Sequence, residues 1–171
     1  HAAPTPSSFI TRDGPAAVAL RARFEGYQWA GGGWNDDDRG NSPGDPSEDP
    51  STGGEGPDCS GFTFKVWRES ESTSNGGFYQ WGMFRDVHGP YTAASFKSGI
   101  GAPNSTVAKS AAIKMDAFAS ESHIGLVYAK NADGTDQIIG AKGEAYGTGI
   151  WTRTYRGDSS YSGVRRIGWS S

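Results

Sequence analysis

Cys59 is the only cysteine among the 171 residues of this chain, and this limits what can hold the fold together. A lone cysteine can form neither an intrachain disulfide nor a thiolate-rich metal site. The fold must therefore depend on a hydrophobic core, and a chain of this length can bury a substantial one. An aromatic share of 12% supports such a core, while 26 Gly and 9 Pro indicate many turns.

The hydrophobic pattern predicts helices first and strands afterwards, which is the order of an α+β fold. Two helices are predicted: residues 15–25, with Asp13 as candidate N-cap and Gly26 as the stop, and residues 60–68. Antiparallel strands are predicted over 113–119, 123–129, 137–141, 149–155 and 164–169. A hairpin turn is expected at residues 131–134, and residues 78–110 show no clear period.

We expect one domain over residues 13–171, preceded by a flexible segment at 1–12. The first eight residues have the composition of the start of a mature exported protein, or of a tag remnant, and the first interpretation predicts a secreted protein. Residues 36–55 hold seven acids and one base, Arg39, among small polar residues. This acidic stretch is expected to be an extended and mobile loop.

Charge and hydropathy argue against several classes of partner. The formal charge of −3 and a pI near 5.6 do not fit a nucleic-acid surface, which is normally basic. No apolar stretch approaches the ~18 residues that span a bilayer, so no membrane insertion is expected. The acids Asp36, Asp37 and Asp38 lack EF-hand spacing, and we expect no metal and no cofactor.

Cys59 lies where a Pro- and Gly-rich loop changes into an apolar run that begins at Phe62. A thiol in the first turn of a helix faces unpaired backbone N–H groups and the positive end of the helix dipole, which favour the thiolate. The thiolate is the nucleophilic form, so Cys59 is the candidate nucleophile. The alternative is an inert cysteine that packs as a small apolar side chain.

A nucleophilic cysteine needs a base, and the chain offers His1, His88 and His123. His1 is terminal and His88 lies in a turn-like segment, whereas His123 opens a β-branched and aromatic run that predicts a buried strand. Cys59 and His123 are therefore a candidate thiol and imidazole pair. The alternative for His123 is a hydrogen-bonded histidine at a strand end.

Three short segments follow one another in the order Tyr27-Gln28-Trp29-Ala30-Gly31-Gly32, Asp58-Cys59-Ser60-Gly61-Phe62 and His123-Ile124-Gly125-Leu126-Val127-Tyr128. They resemble the three signature segments of the NlpC-type cell-wall cysteine peptidases, and the resemblance extends from about residue 13 to residue 155. It implies a papain-like α+β core with N-terminal helices packed on an antiparallel sheet. It also implies that residues 33–57 are an insertion, either a lid or specificity loop or a solvated surface excursion.

The chain departs from the resembled family at a third polar position, which orients the catalytic imidazole. The best alignment places Gly140 there, and glycine has no side chain that can form a hydrogen bond. Glu144 is the preferred substitute because a carboxylate would stabilise an imidazolium, and Gln137 is the alternative. Glu144 is otherwise a solvent-facing charge, and without a substitute the domain is expected to be slow or inactive.

The resemblance implies a thiol hydrolase that cleaves peptidoglycan stem peptides after the γ-linked D-glutamyl residue. It also implies that Tyr27, Asp58 and Ser60 contact the substrate, while Asp58 is alternatively a helix N-cap. Trp29 is a candidate groove residue or a core residue. A thiol acyltransferase or amidase with the same pair, and a cell-wall-binding relative without turnover, remain open, and we expect a monomer.

Overall fold

The computed structural model describes residues 5–6, 10–23, 26–27, 29–32, 56–70, 88–99, 104–143 and 146–169. The helices are α1 (Asp13–Arg21), α2 (Cys59–Val66) and α3 (Ala93–Lys97). The strands are β1 (Thr5–Pro6), β2 (Glu69–Ser70), β3 (Asn104–Val107), β4 (Ala117–Ala119), β5 (Ile124–Lys130), β6 (Asp136–Gly143), β7 (Gly147–Arg153) and β8 (Ser162–Arg166). The predicted α+β class is confirmed, and the papain-like core stays a prediction.

Six strands form one antiparallel sheet in the order β3-β8-β4-β5-β6-β7, and β1 pairs with β2 in a separate two-stranded sheet. Helix α2 packs on one face of the large sheet and is buried along its whole length. Its apolar residues, led by Phe62, Phe64 and Trp67 of the following turn, join Leu126 and Ile139 of the sheet in the larger core. Because this helix is enclosed, the position of Cys59 at its start is rigidly set.

The opposite face of the sheet carries a second, smaller core cluster. Val127 of β5 and Ile138 of β6 pack there against Phe118 and Tyr155. The neighbours Leu126 and Ile139 point instead to the α2 face, as the alternation of side chains along a strand requires. The sheet therefore separates the α2 side from a second face that has its own packing.

The predicted elements differ from the observed ones mainly at their ends. Helix α1 begins at Asp13 itself, and its N-cap is Arg12, which makes no side-chain cap hydrogen bond. The predicted strand 113–119 is confined to β4, because the turn that precedes it is closed by Asp116, which donates its N–H to Ile113 O at 2.9 Å and accepts from Ile113 N at 2.9 Å. Strand β8 ends at Arg166, three residues before the predicted end.

Two elements lie in the range 78–110, where the sequence showed no period. Helix α3 has five residues and begins with a capping box in which the Thr92 and Ser95 side chains each accept the other's backbone N–H. Strand β3 is an edge strand of four residues that pairs with β8. Such short elements present too few residues to show a hydrophobic period.

The N-terminal segment was predicted to be flexible, but its described residues are attached to the domain. Ile10 N donates to Gly168 O at 3.1 Å. Arg12 Nη1 donates to Asp116 Oδ1 at 2.9 Å, and both side chains are buried. Most of residues 1–12 lie outside the described residues, so the expectation of a flexible segment there stays a prediction. The acidic stretch, residues 36–55, lies wholly outside the described residues, so its expected mobility stays a prediction.

Within the described ranges, none of the helices combines the length and the apolarity needed to cross a bilayer. The same part of the chain brings together no group of three His, Cys, Asp or Glu side chains suited to a metal ion.

Candidate active site

Asp58 precedes the first turn of α2. Its backbone is extended, and its carboxylate accepts Gly61 N–H at 2.8 Å. The alternative that the sequence left open for Asp58, a helix N-cap, is confirmed. Asp58 N–H also donates to Gly31 O at 2.9 Å, which joins the 29–32 segment to the helix start. A Cβ at Gly61 would collide with Gly31 O, so only glycine allows this approach.

The Asp58 carboxylate also binds two groups outside the helix. It accepts Ala30 N–H at 3.0 Å and the ring Nε2–H of His88 at 2.8 Å. The Ser60 hydroxyl lies 3.3 Å from the same carboxylate and 2.9 Å from His88 Nε2. Asp58 thus forms hydrogen bonds with three parts of the chain: the 29–32 segment, the start of α2 and the loop that contains His88.

Cys59 opens onto a cavity of about 530 Å³. Its lining comprises Tyr27, Trp29, Ala30, Asp58, Cys59, Ser60, His88, Thr92, Ala93, Glu121 and Ser122. Five residues predicted for the site, the nucleophile Cys59 and the four proposed substrate contacts, therefore meet at one cavity. Trp29 is 74% exposed, so it forms part of the cavity wall and does not belong to the core.

His88 is a member of this cavity that the sequence interpretation passed over. Its Nδ1 lies 2.8 Å from Gly89 O, and a carbonyl oxygen only accepts, so Nδ1 carries a proton. Its Nε2 lies 2.8 Å from Asp58 Oδ1 and 2.9 Å from Ser60 Oγ. Both ring nitrogens of His88 are therefore engaged by neighbouring polar groups.

The turn at Gly89 brings His88 against α2. Gly89 has a φ of 81°, and a Cβ there would lie 2.6 Å from atoms of the Phe64 ring. A residue with a side chain would be strained in this conformation and would also collide with the ring. The sequence signal that could have indicated this turn is the His88-Gly89-Pro90 run, but it does not reveal the partner of the histidine.

Burial raises the pKa of the Cys59 thiol to about 11, and the nearby Asp58 charge raises it further. Backbone N–H groups of Ile124 and Ser60 act in the opposite direction, with a smaller total effect. The expectation that the helix start favours the thiolate is therefore wrong for this state, because the loss of hydration exceeds the help from backbone donors. The resting group is a neutral thiol with 8% exposure.

His123 is held by a tight loop at the start of β5, where its N–H donates to Ser120 Oγ at 3.1 Å. Its ring lies edge-on to Tyr155, with centroids 5.9 Å apart, and therefore belongs to the face of the sheet opposite α2. It lines a second cavity of about 10 Å³. Burial, followed by the charges of Arg153 and Lys142, lowers the pKa of His123 to about 4.

The structure thus places the two predicted catalytic side chains at different cavities. No hydrogen bond joins the Cys59 sulfur to the His123 ring, although both residues are among those described. Their backbones are nevertheless adjacent, because Ile124, which follows His123, points its N–H at the Cys59 thiol. The start of β5 has the thiol on one side and the imidazole on the other.

The residues considered for the third polar position have different outcomes. Gly140 lines the small cavity beside His123, as the alignment implies. Gln137 lines neither cavity and donates from Nε2 to Thr152 Oγ1 at 2.9 Å on the exposed surface. Glu144 lies outside the described residues, so its role stays a prediction.

Comparison with known proteins adds no relative: no family model, no curated protein and no solved structure matches this chain.

Proposed function

We propose that this chain is a cysteine hydrolase with a papain-like core that acts on amide bonds of peptidoglycan stem peptides. The observation that carries the proposal is the Cys59 thiol, which sits at the start of a buried helix and opens onto a cavity of about 530 Å³. Binding sites for small ligands and peptide ends commonly have this volume. The first-turn N–H groups of Cys59 and Ser60 reach the sulfur and are suited to an oxyanion that forms beside it.

The pKa values favour a reaction in which the proton moves during attack. The thiol is neutral at rest, so His123 would accept its proton as the sulfur bonds to the substrate carbonyl carbon. The imidazolium then protonates the leaving amine, which yields a thioester, and a water molecule hydrolyses the thioester to regenerate the thiol. A rotation of the His123 side chain towards the α2 face is the movement that this step requires.

His88 shares the cavity with Cys59 but is less suited to act as the base. Its two ring nitrogens are already engaged, one with Gly89 O and the other with the Asp58 carboxylate and the Ser60 hydroxyl. We assign His88 to the cavity wall, where it holds the Asp58 carboxylate in place.

The substrate class rests on the resemblance to cell-wall peptidases together with the character of the cavity. Tyr27 and Trp29 supply aromatic surface at one side, and Asp58 supplies a carboxylate that is 6% exposed. A stem peptide offers a free amine that can pair with such a carboxylate. On this proposal the protein acts outside the cell, on the wall, and cleavage follows the γ-linked D-glutamyl residue.

Digestion of purified peptidoglycan, followed by mass spectrometry of the soluble fragments, tests the proposal. We expect wild-type protein to release peptides, and both Cys59→Ser and His123→Ala to reduce release by at least about a thousandfold. Gln137→Ala is the matched control, because this side chain lines neither cavity. Full activity of Cys59→Ser, with the fold intact by circular dichroism, would refute the assignment of the nucleophile.

A further inference from the structure

The small cavity beside His123 is surrounded by positive charge. Lys142 of β6 and Arg153 of β7 line it together with the His123 ring, and Tyr155 and Trp151 complete its wall. Within the described part of the chain, no carboxylate lines this cavity, and neither Lys142 nor Arg153 forms a salt bridge. A partly buried group of cations without a counter-charge is unfavourable and attracts an anion.

The donors of this group are only partly satisfied. Arg153 Nε is a buried atom that has no hydrogen-bond partner, and buried N–H donors without a partner are rare in folded proteins. The guanidinium carbon of Arg153 lies 5.1 Å from the centre of the Tyr155 ring, and Lys142 Nζ lies 4.0 Å from the centre of the Tyr146 ring. Aromatic faces attract cations but do not supply an acceptor atom for an N–H group. The guanidinium group of Arg153, which lines the cavity, therefore has a donor without an acceptor.

Gly140 provides the space. It stands at the alignment position where a polar side chain would orient the imidazole, and a Cβ there would meet only ordinary contacts, the nearest at 3.6 Å. The volume of about 10 Å³ is close to that of one ordered water molecule and suits a small anion. A water molecule there would leave the charges uncompensated.

We propose that this cavity is a binding site for a monoatomic anion, chloride in solution, held by Arg153 and Lys142 next to the His123 ring. The bound anion supplies the negative charge that the third polar side chain would otherwise provide. It stabilises the imidazolium form of His123 while the ring lies in this cavity, and so raises the basicity of the resting imidazole. The binding is measured without turnover, and only its relevance to catalysis rests on the proposed function.

NMR titration of the histidine rings in sodium chloride and in sodium gluconate at equal ionic strength tests the proposal, because gluconate is a much bulkier anion than chloride. We expect the pKa of His123 to be about 4 in gluconate and to rise towards its ordinary 6.5 in chloride. His123→Gln identifies the resonance. An unchanged His123 pKa in chloride overturns the proposal.

Matched variants separate specific binding from general salt effects. Arg153→Met should give a His123 pKa that no longer responds to chloride, whereas Lys130→Met, which removes an exposed charge of β5 away from the cavity, should respond as wild type does. If Glu144→Gln lowers the pKa of His123 and chloride has no effect on the wild type, the counter-charge is that carboxylate and the proposal fails.

A crystal soaked in bromide gives an independent readout. We expect an anomalous peak in the cavity, and a peak without any chloride response of the His123 pKa marks an adventitious ion only and overturns the proposal. A chloride-responsive pKa in a protein without hydrolytic activity would refute the proposed function and leave the anion site standing.

Discussion

At the scale of single residues, Cys59 and His123 are both held in their neutral forms by burial, with pKa values of about 11 and about 4. A pair with such values cannot exist as thiolate and imidazolium at neutral pH, because each charge would have to form against its own desolvation. The resting enzyme that we propose is therefore unlike an enzyme with a preformed ion pair. Its nucleophile becomes reactive only when the imidazole contacts it and the imidazolium is stabilised.

This difference can be measured as thiol reactivity. In the absence of substrate, the alkylation of Cys59 by iodoacetamide should be slow near neutral pH and should rise steeply only above pH 9, since the thiol pKa is about 11. Compared with the same protein unfolded in urea, the rate near neutral pH should be roughly a hundredfold lower, as two pKa units imply. A plateau reached below pH 8 would show that a thiolate is already present at rest.

Asp58 combines a structural and a site role, and substitution separates the two. Asp58→Ala removes the N-cap of α2 and leaves Ala30 N–H and His88 without their acceptor, so we expect a loss of about 2–4 kcal/mol in the free energy of unfolding. Asp58→Asn keeps an acceptor for the cap, so its free energy of unfolding should fall by about half as much. Urea unfolding measures the free energy of both variants. Equal losses would mean that the capping oxygen contributes little and that the charge paired with His88 dominates.

At the scale of elements, the turn at Gly89 decides whether His88 reaches the cavity. Gly89→Ala places a methyl group against the Phe64 ring at a φ of 81°. We therefore expect the free energy of unfolding to fall by more than about 2 kcal/mol, and we expect His88 to lose its contact with Asp58. Gly134→Ala is the control, since Gly134 has a φ of 89° but nothing within 4 Å of its Cβ position. The free energy of unfolding of Gly134→Ala should fall by only about 1 kcal/mol.

Thermal or urea unfolding of the two variants checks this prediction, with the chemical shifts of the His88 ring as the local readout. Losses of similar size at both glycines would show that backbone strain dominates and that the contact with Phe64 adds nothing. A large loss at Gly89 without a change in the His88 shifts would show that the turn stabilises the fold but does not position the histidine.

Elements with a clear pattern were predictable from the sequence, and those set by distant contacts were not. The strand predicted at 123–129 is observed as Ile124–Lys130, because its apolar and β-branched residues alternate between two buried faces. Helix α2 was predicted within about two residues at each end, and the polar start at Asp58 explains why. Helix α3 was missed because five residues have no measurable period.

The candidate site was predictable to the same extent. Cys59, Asp58, Ser60, Tyr27 and Trp29 do meet at one cavity, because the first three lie at a single helix start and Asp58 binds the 29–32 segment. The face on which His123 lies depends on the alternation along β5, and the contact of His88 depends on one turn. Neither is encoded in the spacing between motifs.

At the scale of the whole molecule, the sheet separates the two cavities, and the segment that leads into β5 contacts both. The large cavity lies beside α2, and the small cavity lies on the opposite face with His123, Gly140 and Arg153. Just before β5, Ser122 lines the large cavity and the next residue, His123, lines the small one. A change of charge in the small cavity is thereby one residue away from the wall of the cavity that holds the nucleophile.

This arrangement predicts a stability profile with a loss on each side of neutral pH. The folded-state pKa of His123 is depressed to about 4 from 6.5, so its contribution is fully present above pH 6.5 and is lost as the pH falls towards 4. The folded-state pKa of Cys59 is raised to about 11 from 9.0, so its contribution is present below pH 9 and is lost as the pH rises towards 11. Each loss should be on the order of 3 kcal/mol.

Urea unfolding across pH in chloride-free buffer measures the profile, and two variants assign its limbs. His123→Gln should flatten the limb between pH 6.5 and 4, while Cys59→Ala should flatten the limb between pH 9 and 11, and each should leave the other limb as in wild type. In chloride, the acid limb of the wild type should shrink, because an anion beside His123 raises its folded-state pKa. An acid limb that persists unchanged in His123→Gln would show that the histidine does not cause the loss.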